Sequence, residues 1–381
     1  MMRRWAPALA FVLMACSQAT AHNPLGSASQ TPTATSSAPV TPTPTAPPTA
    51  TPSSALPLGQ VDFACRLPVT SSGTFGNYNG GFITFPAASY AADPKGAITN
   101  DSQTDVLTTT ESPQLSGTPS FAASPFYDAA QRRWVPVSPA QSTPDGLTYA
   151  YATFDPATSS QAHVHVVNVA HATDKTFDVA VPPNAEGFTV ADFTAAGVYL
   201  MPNTFEHLPD GVWLMDPTNG ALRQVTQVGP VSAVRSGYVW LAAINPSDPS
   251  PPQLRRSGTP SDSVVRVDLS NGARATWFYR PGKQVSLLGF DSKGMPIVNV
   301  SDPSATTGLS ETWLSGGPFV PDTLVSASSQ VYLRSPQGDG DRVWFGSDAG
   351  IYLYTRAHGL QKVALGDLQP QESVAPAGVC A

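Results

Sequence analysis

The sequence predicts an all-β fold, and three observations support this prediction. After Leu58 no stretch of about twelve or more residues has helical periodicity. Short runs rich in Val, Ile, Tyr, Phe, Trp and Thr are separated instead by Gly, Pro, Asp and Asn. Several of these runs form units of a strand, a polar turn and a second strand, and the units begin near residues 126, 163, 211, 263, 311 and 350.

The interval between these units, roughly 37–52 residues, is typical of a β-propeller. At about 46 residues per blade, residues 58–381 predict seven blades, with six as the alternative. A pair of packed sheets, as in a β-sandwich, is the other architecture, but it gives no reason for similar turns to recur at this interval. Two of the turns run from Asp216 to Gly220 and from Asp268 to Gly272. Each predicts a local Asx hydrogen bond and a glycine at positive φ.

The chain begins with the features of an export signal. Arg3 and Arg4 precede an apolar run at residues 5–15, and its roughly eleven residues are too few to span a hydrocarbon core of about 30 Å. The run ends in Leu13-Met14-Ala15-Cys16, which resembles the lipobox of bacterial lipoproteins, although Met14 replaces the usual small or β-branched residue. An ordinary secretory signal cleaved near Ala19 or Ala21 is the alternative.

The lipoprotein resemblance implies that residues 1–15 are removed as a signal peptide and that Cys16 is lipidated. The acyl chains would then hold the exported protein on the extracytoplasmic face of a bacterial membrane. Residues 16–57 consist largely of Ser, Thr, Ala and Pro and contain no Phe, Trp or Tyr. This composition predicts a disordered linker with a reach between about 35 Å and about 120 Å. The linker would act as a spacer between the anchor and the β domain.

The overall charge excludes two classes of binding protein. The formal net charge is −7, and removing Arg3 and Arg4 with residues 1–15 makes it −9. A sequence-independent nucleic-acid binder needs a basic surface, so we expect no nucleic-acid partner. The same argument excludes a protein held electrostatically on anionic lipid.

Three segments resemble the repeats of known propeller families. Residues 142–151, which contain Ser142-Thr143-Pro144-Asp145-Gly146, resemble the Ser-Pro-Asp-Gly repeat of TolB-type propellers with Thr143 inserted. Residues 341–352 resemble the blade repeat of two-component-regulator propellers, and residues 211–220 resemble the strand-turn unit of quinoprotein-like and lactonase-like propellers. Each family matches one blade, so the resemblance implies the fold and no single family. The Pro- and Thr-rich linker stands where TolB has an extra domain, so TolB's partners are not carried over.

The other two cysteines, Cys65 and Cys380, lie near the two ends of the predicted propeller. A propeller must join its first and last blades, and an exported protein can use a disulfide for this purpose. We therefore predict a Cys65–Cys380 disulfide, with two buried free thiols as the alternative.

Residues that could carry chemistry form no complete set in the sequence. His163 and His165 share one face of a strand, but no third metal ligand stands nearby, so polar strand positions or a packed imidazole are the favoured interpretation. Asp339 and Asp341 lack the ligand series of a calcium loop and indicate a hairpin turn. Five acids are candidates to pair across a central channel, although the sequence places no two of them at a common depth: Asp93, Glu111, Asp192, Glu206 and Asp210.

The remaining patterns assign no catalytic residue and no cofactor. Five tryptophans recur about once per blade and indicate packing between blades: Trp213, Trp240, Trp277, Trp313 and Trp344. The sequence contains no nucleophile elbow, phosphate loop or dinucleotide fingerprint. The favoured function is a non-enzymatic surface lipoprotein that binds a protein or an envelope glycan. The alternatives are an exported hydrolase or lyase acting on carbohydrate or lactone at the channel mouth, and a sensor or assembly scaffold.

Overall fold

The structure is a computed structural model that describes residues 59–72, 78–101, 106–109, 118–119, 125–154, 161–183, 185–203, 211–243, 261–304, 308–365 and 373–381. These residues form 27 strands, one 3-10 turn at Pro139–Gln141 and no α-helix, which confirms the all-β prediction. No helix within these ranges has the length and apolar character that crossing a membrane requires. The predicted signal peptide, the linker and Cys16 lie outside the described residues and stay predictions.

Four separate sheets each contain four antiparallel strands, and we number them 2 to 5 along the chain. In sheets 3 to 5 each strand pairs with the next one in sequence, whereas in sheet 2 two strands of a separate hairpin intervene. Sheet 2 comprises β5 Thr118–Pro119, β8 Thr148–Phe154, β9 Gln161–Asn168 and β10 Thr173–Ala180; sheet 3 comprises β11 Gly187–Thr194, β12 Gly197–Asn203, β13 Val212–Met215 and β14 Leu222–Thr226.

Sheets 4 and 5 repeat the same pattern. Sheet 4 comprises β15 Val231–Arg235, β16 Tyr238–Ala243, β17 Ser263–Asp268 and β18 Arg274–Tyr279; sheet 5 comprises β19 Gln284–Phe290, β20 Pro296–Ser301, β21 Ser310–Leu314 and β22 Thr323–Ser328.

The two ends of the described chain meet in a nine-stranded sheet with two parts, which we call sheets 6 and 1. The C-terminal strand β27 pairs with β1, so it completes sheet 1, and one pair, Ser347 with Val374, joins it to sheet 6. Sheet 6 comprises β23 Arg334–Asp339, β24 Arg342–Ser347, β25 Gly350–Thr355 and β26 Gly359–Leu365; sheet 1 comprises β27 Ser373–Pro376, β1 Cys65–Ser72, β2 Tyr78–Phe85 and β3 Ser89–Asp101, with β4 Val106–Thr109 paired to β3.

The sequence units correspond to the third and fourth strands of five of these sheets. The units near 163, 211, 263, 311 and 350 match the hairpins that begin with β9, β13, β17, β21 and β25. The unit near 126 differs, because β6 Phe126–Asp128 and β7 Arg133–Val135 form a separate two-stranded sheet between β5 and β8. This hairpin is an insertion into sheet 2 and not a blade unit of its own.

The two Asp-to-Gly turns have the predicted structure. The backbone N–H of Thr218 donates to Asp216 Oδ1 at 2.8 Å, and Gly220 has a φ of 75°. The second turn repeats this arrangement, with the N–H of Ser270 at 2.8 Å from Asp268 Oδ1 and Gly272 at a φ of 73°. The hydroxyl groups of Thr218 and Ser270 also donate to these carboxylates and lower their pKa values. The repeated turn is therefore encoded locally.

The apolar core lies between successive sheets, as a β-propeller requires. Six clusters of buried side chains each contain residues of two neighbouring sheets. Each cluster contains side chains of both sheets. Examples are Ile98 and Tyr149 for sheets 1 and 2, Val164 and Phe188 for sheets 2 and 3, Tyr199 and Val239 for sheets 3 and 4, Phe278 and Val298 for sheets 4 and 5, Ile297 and Phe345 for sheets 5 and 6, and Trp344 and Phe85 for sheets 6 and 1.

Aromatic side chains contribute to this packing, as predicted for the recurring tryptophans. Trp344 is fully buried, stacks on Phe85 with ring centroids 5.4 Å apart, and donates its indole N–H to Asp339. Trp240 lies edge-on to Trp277 at 5.0 Å. Trp213 lies edge-on to Phe188, and Trp313 lies tilted against Phe278 with ring centroids 6.2 Å apart. These tryptophans therefore pack against other aromatic rings and form no exposed stacking platform.

Candidate ligand-binding site

A cavity of about 530 Å³ lies where the ends of several strands meet. It is bounded by the end of β11, the β15–β16 turn, part of β23, the residues after β27, and the insertion that contains β6. Sheets 1, 3, 4 and 6 contribute to it, each through its first strand or the residues that follow that strand. The cavity therefore lies at one end of these first strands. Its lining is mixed, with apolar and polar side chains that include Phe126, Tyr127, Phe193, Val379, Asp128, Asp192, Arg235 and Gln337.

Asp192 is the acid that the cavity buries. Its residue is 5% exposed, and its Oδ2 accepts a hydrogen bond of 2.8 Å from the backbone N–H of Ser236 in the neighbouring sheet. The register between β11 and β12 shifts at Asp192, which is the mark of a β-bulge. Burial raises the pKa of Asp192, and the Ser236 N–H and the charge of Arg235 oppose this effect only in part. A buried carboxyl group with a raised pKa in a cavity is a candidate functional group.

Arg235 supplies the positive charge of the cavity. It ends β15, and the two residues that follow, Ser236 and Gly237, have φ values of 51° and 80°. Positive φ at both central positions is typical of a tight two-residue hairpin turn. Among the described residues no hydrogen bond and no ion pair of the Arg235 side chain is seen, although its charge influences Asp192. Its guanidinium therefore retains donors for an anionic or carbonyl-bearing ligand.

The insertion in sheet 2 forms another wall of the cavity. Asp128 lies at the end of β6, and its Oδ1 accepts hydrogen bonds from the N–H groups of Ala130 at 2.9 Å and Gln131 at 3.1 Å. Gly146 has a φ of 67° and approaches Asp128 so closely that a side chain there would collide with the carboxylate. Gly146 belongs to the segment that resembles a TolB-type repeat, so that segment forms part of the cavity wall.

Of the five candidate acids the structure describes two, Asp93 and Asp192, and it does not bring these two together. Asp192 lines the cavity, whereas Asp93 accepts a 2.9 Å hydrogen bond from the indole N–H of Trp134 and does not line it. Glu111, Glu206 and Asp210 lie outside the described residues. Asp128 is the second acid in the cavity wall, and sequence reasoning missed it together with Arg235 and Gln337. A Ser-Gly step after an apolar run marks the Arg235 turn, but it carries no information about the sheet that lies opposite.

His163 and His165 each contact a carboxylate instead of a shared ligand. His163 Nδ1 lies 2.7 Å from Asp178 Oδ1, and His165 Nδ1 lies 2.9 Å from Asp174 Oδ2. The His165 ring is buried and stacks on Tyr151 with centroids 4.4 Å apart. Within the described ranges no three His, Cys, Asp or Glu residues cluster closely enough to hold a metal ion. His165 is therefore a packed imidazole, whereas His163 is a polar strand position whose partly exposed side chain pairs with Asp178.

Asp339 and Asp341 lie at the turn between β23 and β24, as the hairpin prediction requires. Asp339 forms an ion pair of 3.1 Å with Arg342, and Gly340 has a φ of 63°.

The predicted disulfide joins Cys65 and Cys380, whose Cα atoms are 5.5 Å apart. The residues after β27 run beside β1, where Ala381 donates its N–H to Arg66 O at 3.2 Å. The disulfide therefore fastens the C-terminal segment to the start of sheet 1.

The cavity presents several groups that can interact with a polar ligand. A carboxylate, a guanidinium, the Gln337 amide and aromatic walls together fix the orientation of a polar group. The described lining residues include no histidine, lysine or cysteine. The hydroxyl of Ser142 donates to the backbone oxygen of Thr148 at 3.2 Å. The arrangement thus offers a ligand both hydrogen-bond donors and hydrogen-bond acceptors.

No protein-family model and no curated protein matches this chain. Among solved structures, one from a study of two prolyl endopeptidases has a TM-score of 0.48 and 12% identity, over 82% of this chain and 50% of that one. The β-propeller domain of the Trilobed protease from Pyrococcus furiosus has a TM-score of 0.41 and 9% identity, over 80% and 85%. A putative TolB from Agrobacterium tumefaciens has a TM-score of 0.37 and 12% identity, over 62% and 81%.

The chain spans about half the length of the prolyl endopeptidase chain. All three TM-scores lie below 0.5. The propeller assignment therefore depends on the strand pairing and the core of this chain.

Proposed function

We propose that the protein is an exported, lipid-anchored β-propeller that binds a protein or a glycan of the bacterial cell envelope. The observation that carries this proposal is the cavity in which Asp192 and Arg235 face a mixed aromatic and polar wall. Export is supported by the apolar run and lipobox-like ending at residues 5–16 and by a disulfide, a bond that persists in oxidising compartments. The linker at residues 16–57 would give the propeller freedom to reach its partner.

The proposal includes a ring of six blades in place of the seven favoured by the sequence. Six core clusters each connect two neighbouring sheets, and the last of them connects sheet 6 with sheet 1. The extra length that suggested a seventh blade belongs in part to the β6–β7 insertion. The β1–β27 pairing and the Cys65–Cys380 disulfide would then close the ring.

Loss of the Arg235 guanidinium is expected to weaken partner binding at least about tenfold, because a charge-assisted hydrogen bond to a desolvated ligand contributes about 1.5–3 kcal/mol. The measurement is the binding isotherm of the full chain against fractionated envelope proteins and isolated envelope polysaccharide. The control is Arg274→Ala, which removes an exposed arginine on β18 that does not line the cavity. Equal binding by wild type and Arg235→Ala would contradict a role for the cavity.

A second function is an exported hydrolase or lyase acting on carbohydrate or lactone. The observation that favours it is the buried Asp192, whose raised pKa suits a general acid, in a cavity that also contains the carboxyl group of Asp128. Release of soluble products from envelope polysaccharide by the wild type, absent in Asp192→Asn, would favour this function over binding.

A further inference from the structure

A turn on sheet 5 exposes two apolar side chains to solvent. We call residues 315–322, which connect β21 to β22, the Phe319 tip; their sequence is Ser-Gly-Gly-Pro-Phe-Val-Pro-Asp. Phe319 is 96% exposed and Val320 is 60% exposed. Large apolar side chains exposed side by side on a surface often mark an interaction site. Between Ser315 and Asp322 the tip contains no charged residue.

The tip is held in one conformation by contacts at its base. Ser315 Oγ donates to Trp277 O at 3.1 Å, and the N–H of Gly316 donates to Asp322 Oδ1 at 3.2 Å. Asp322 also forms an ion pair of 3.2 Å with Arg280. A side chain at Gly316 would collide with the backbone oxygen atoms of Val320 and Pro321. Phe319 is therefore exposed on a turn whose conformation is fixed by hydrogen bonds and an ion pair at its base.

Topology places the tip on the same face as the cavity. In an antiparallel meander the end of the first strand and the end of the third strand lie on the same side, so the tip lies beside the β19–β20 turn. Ser292 in that turn donates its hydroxyl to Gly340 O, in the β23–β24 turn. The cavity is lined by the corresponding ends of β11 and β15 and by Gln337, near the end of β23. These turns therefore face one side of the propeller.

The described chain begins close to the sheet that carries the tip. Gly59 donates its N–H to Lys362 O on β26 at 2.6 Å, and β26 contacts β22 of sheet 5. The linker that precedes Gly59 thus joins the propeller at sheet 6, next to the tip's own sheet. If Cys16 is acylated, the membrane is within the linker's reach of about 35–120 Å.

We propose that the Phe319 tip inserts into the interfacial layer of the membrane to which Cys16 is anchored; this inference rests on the anchoring proposed above. Between Ser315 and Asp322 the tip carries an aromatic and an aliphatic side chain and no charged residue, which suits the boundary between headgroups and acyl chains. The net charge of −9 after signal removal opposes electrostatic binding to lipid, so the contact is apolar. The covalent anchor keeps the tip at high effective concentration near lipid, so a weak insertion suffices.

The test uses the full acylated chain, oxidised, in phosphatidylcholine vesicles. Because Cys65 and Cys380 are joined and Cys16 is acylated, a Val320→Cys variant offers one free thiol for an environment-sensitive fluorophore. The matched control is Tyr332→Cys, which labels a residue that is 54% exposed at the opposite ends of the strands. We expect a blue shift and quenching by brominated lipid at position 320 and neither at 332. Emission at 320 that stays as in buffer overturns the inference.

A second variant tests the energetic contribution of the aromatic ring. In a chain labelled at position 320, Phe319→Ser is expected to reduce the equilibrium constant for insertion, obtained from the inserted and free fractions, about ten- to a hundredfold, as loss of a buried phenylalanine side chain implies. An unchanged fraction, or a blue shift produced by soluble envelope proteins without vesicles, contradicts insertion into lipid.

A further chain separates failure of the anchor from failure of tip insertion. It carries Cys16→Ser and an N-terminal hexahistidine tag, and it is bound to vesicles through a nickel-chelating lipid. This chain tests insertion of the tip whether or not Cys16 is acylated in the cell. A blue shift at position 320 in this chain supports the inference even if Cys16 carries no lipid. Absence of the shift overturns the inference even if Cys16 is acylated.

Discussion

Replacing Cys65 and Cys380 by alanine is expected to lower the free energy of unfolding by about 2–5 kcal/mol. The disulfide joins residues 315 positions apart, and it fastens a C-terminal strand of four residues to β1. Without the disulfide the unfolded chain gains conformational freedom. In the folded protein the junction between sheets 1 and 6 opens more easily, because β27 and the residues after it are then held by few backbone pairs. Urea denaturation of the oxidised wild type and of the double variant measures the difference.

The control for the disulfide is the effect of a reductant. Dithiothreitol is expected to destabilise the wild type by a similar amount and to leave the double variant unchanged. Two reactive thiols in the unfolded, non-reduced protein, together with equal stability of both proteins, would show that the disulfide is absent.

The second large effect is a gain of stability from Asp192→Asn at neutral pH. Because burial raises the pKa of Asp192 in the folded protein, the folded state binds this proton more readily than the unfolded state does. The free energy of unfolding therefore falls as pH rises from the ordinary aspartate pKa, about 3.9, through the raised folded pKa. Asparagine removes this loss and still accepts the Ser236 hydrogen bond. Each kcal/mol regained is expected to raise Tm by about 2–4 °C.

The pH dependence identifies the cause of this gain. We expect the stability of wild type and Asp192→Asn to converge below the ordinary pKa of aspartate, because the wild-type carboxyl is then neutral in both states. Asp216→Asn is a control of opposite sign, because the Thr218 hydrogen bonds lower the pKa of Asp216 and stabilise its charged form. That variant is expected to lose stability above the ordinary pKa. A difference between wild type and Asp192→Asn that does not vary with pH would contradict the explanation.

A stabilising Asp192→Asn variant would also bear on function. Natural proteins retain a destabilising buried charge where binding or chemistry requires it. We therefore expect this more stable variant to bind its envelope partner less well than the wild type.

Local features of this fold were predictable from the sequence, whereas contacts between distant segments were not. The Asp216–Gly220 and Asp268–Gly272 turns were predicted because their hydrogen bonds lie within five residues. The third and fourth strands of five sheets were found for the same reason. The β6–β7 hairpin has the same local pattern as those units, so only its pairing shows that it is an insertion.

The candidate site depended on long-range packing and was mostly missed. Asp192, Arg235, Gln337 and Asp128 come from separate sheets or from the insertion, and no spacing in the sequence relates them. The pairing of Cys65 with Cys380 is the exception, because few cysteines and a ring with two ends leave few choices. The Phe319 tip was not predicted either, since Pro-Phe-Val-Pro has the composition of a buried edge as well as of an exposed turn.

The central claim, that this is an exported and anchored propeller fastened at its two ends, is tested most directly by mass spectrometry of the protein isolated from cells without reduction. The account predicts an N-terminal peptide that begins at Cys16 and carries the mass of its acyl chains. It also predicts one cross-linked peptide pair that contains Cys65 and Cys380. A chain that begins at Met1 and contains three unmodified thiols would contradict it.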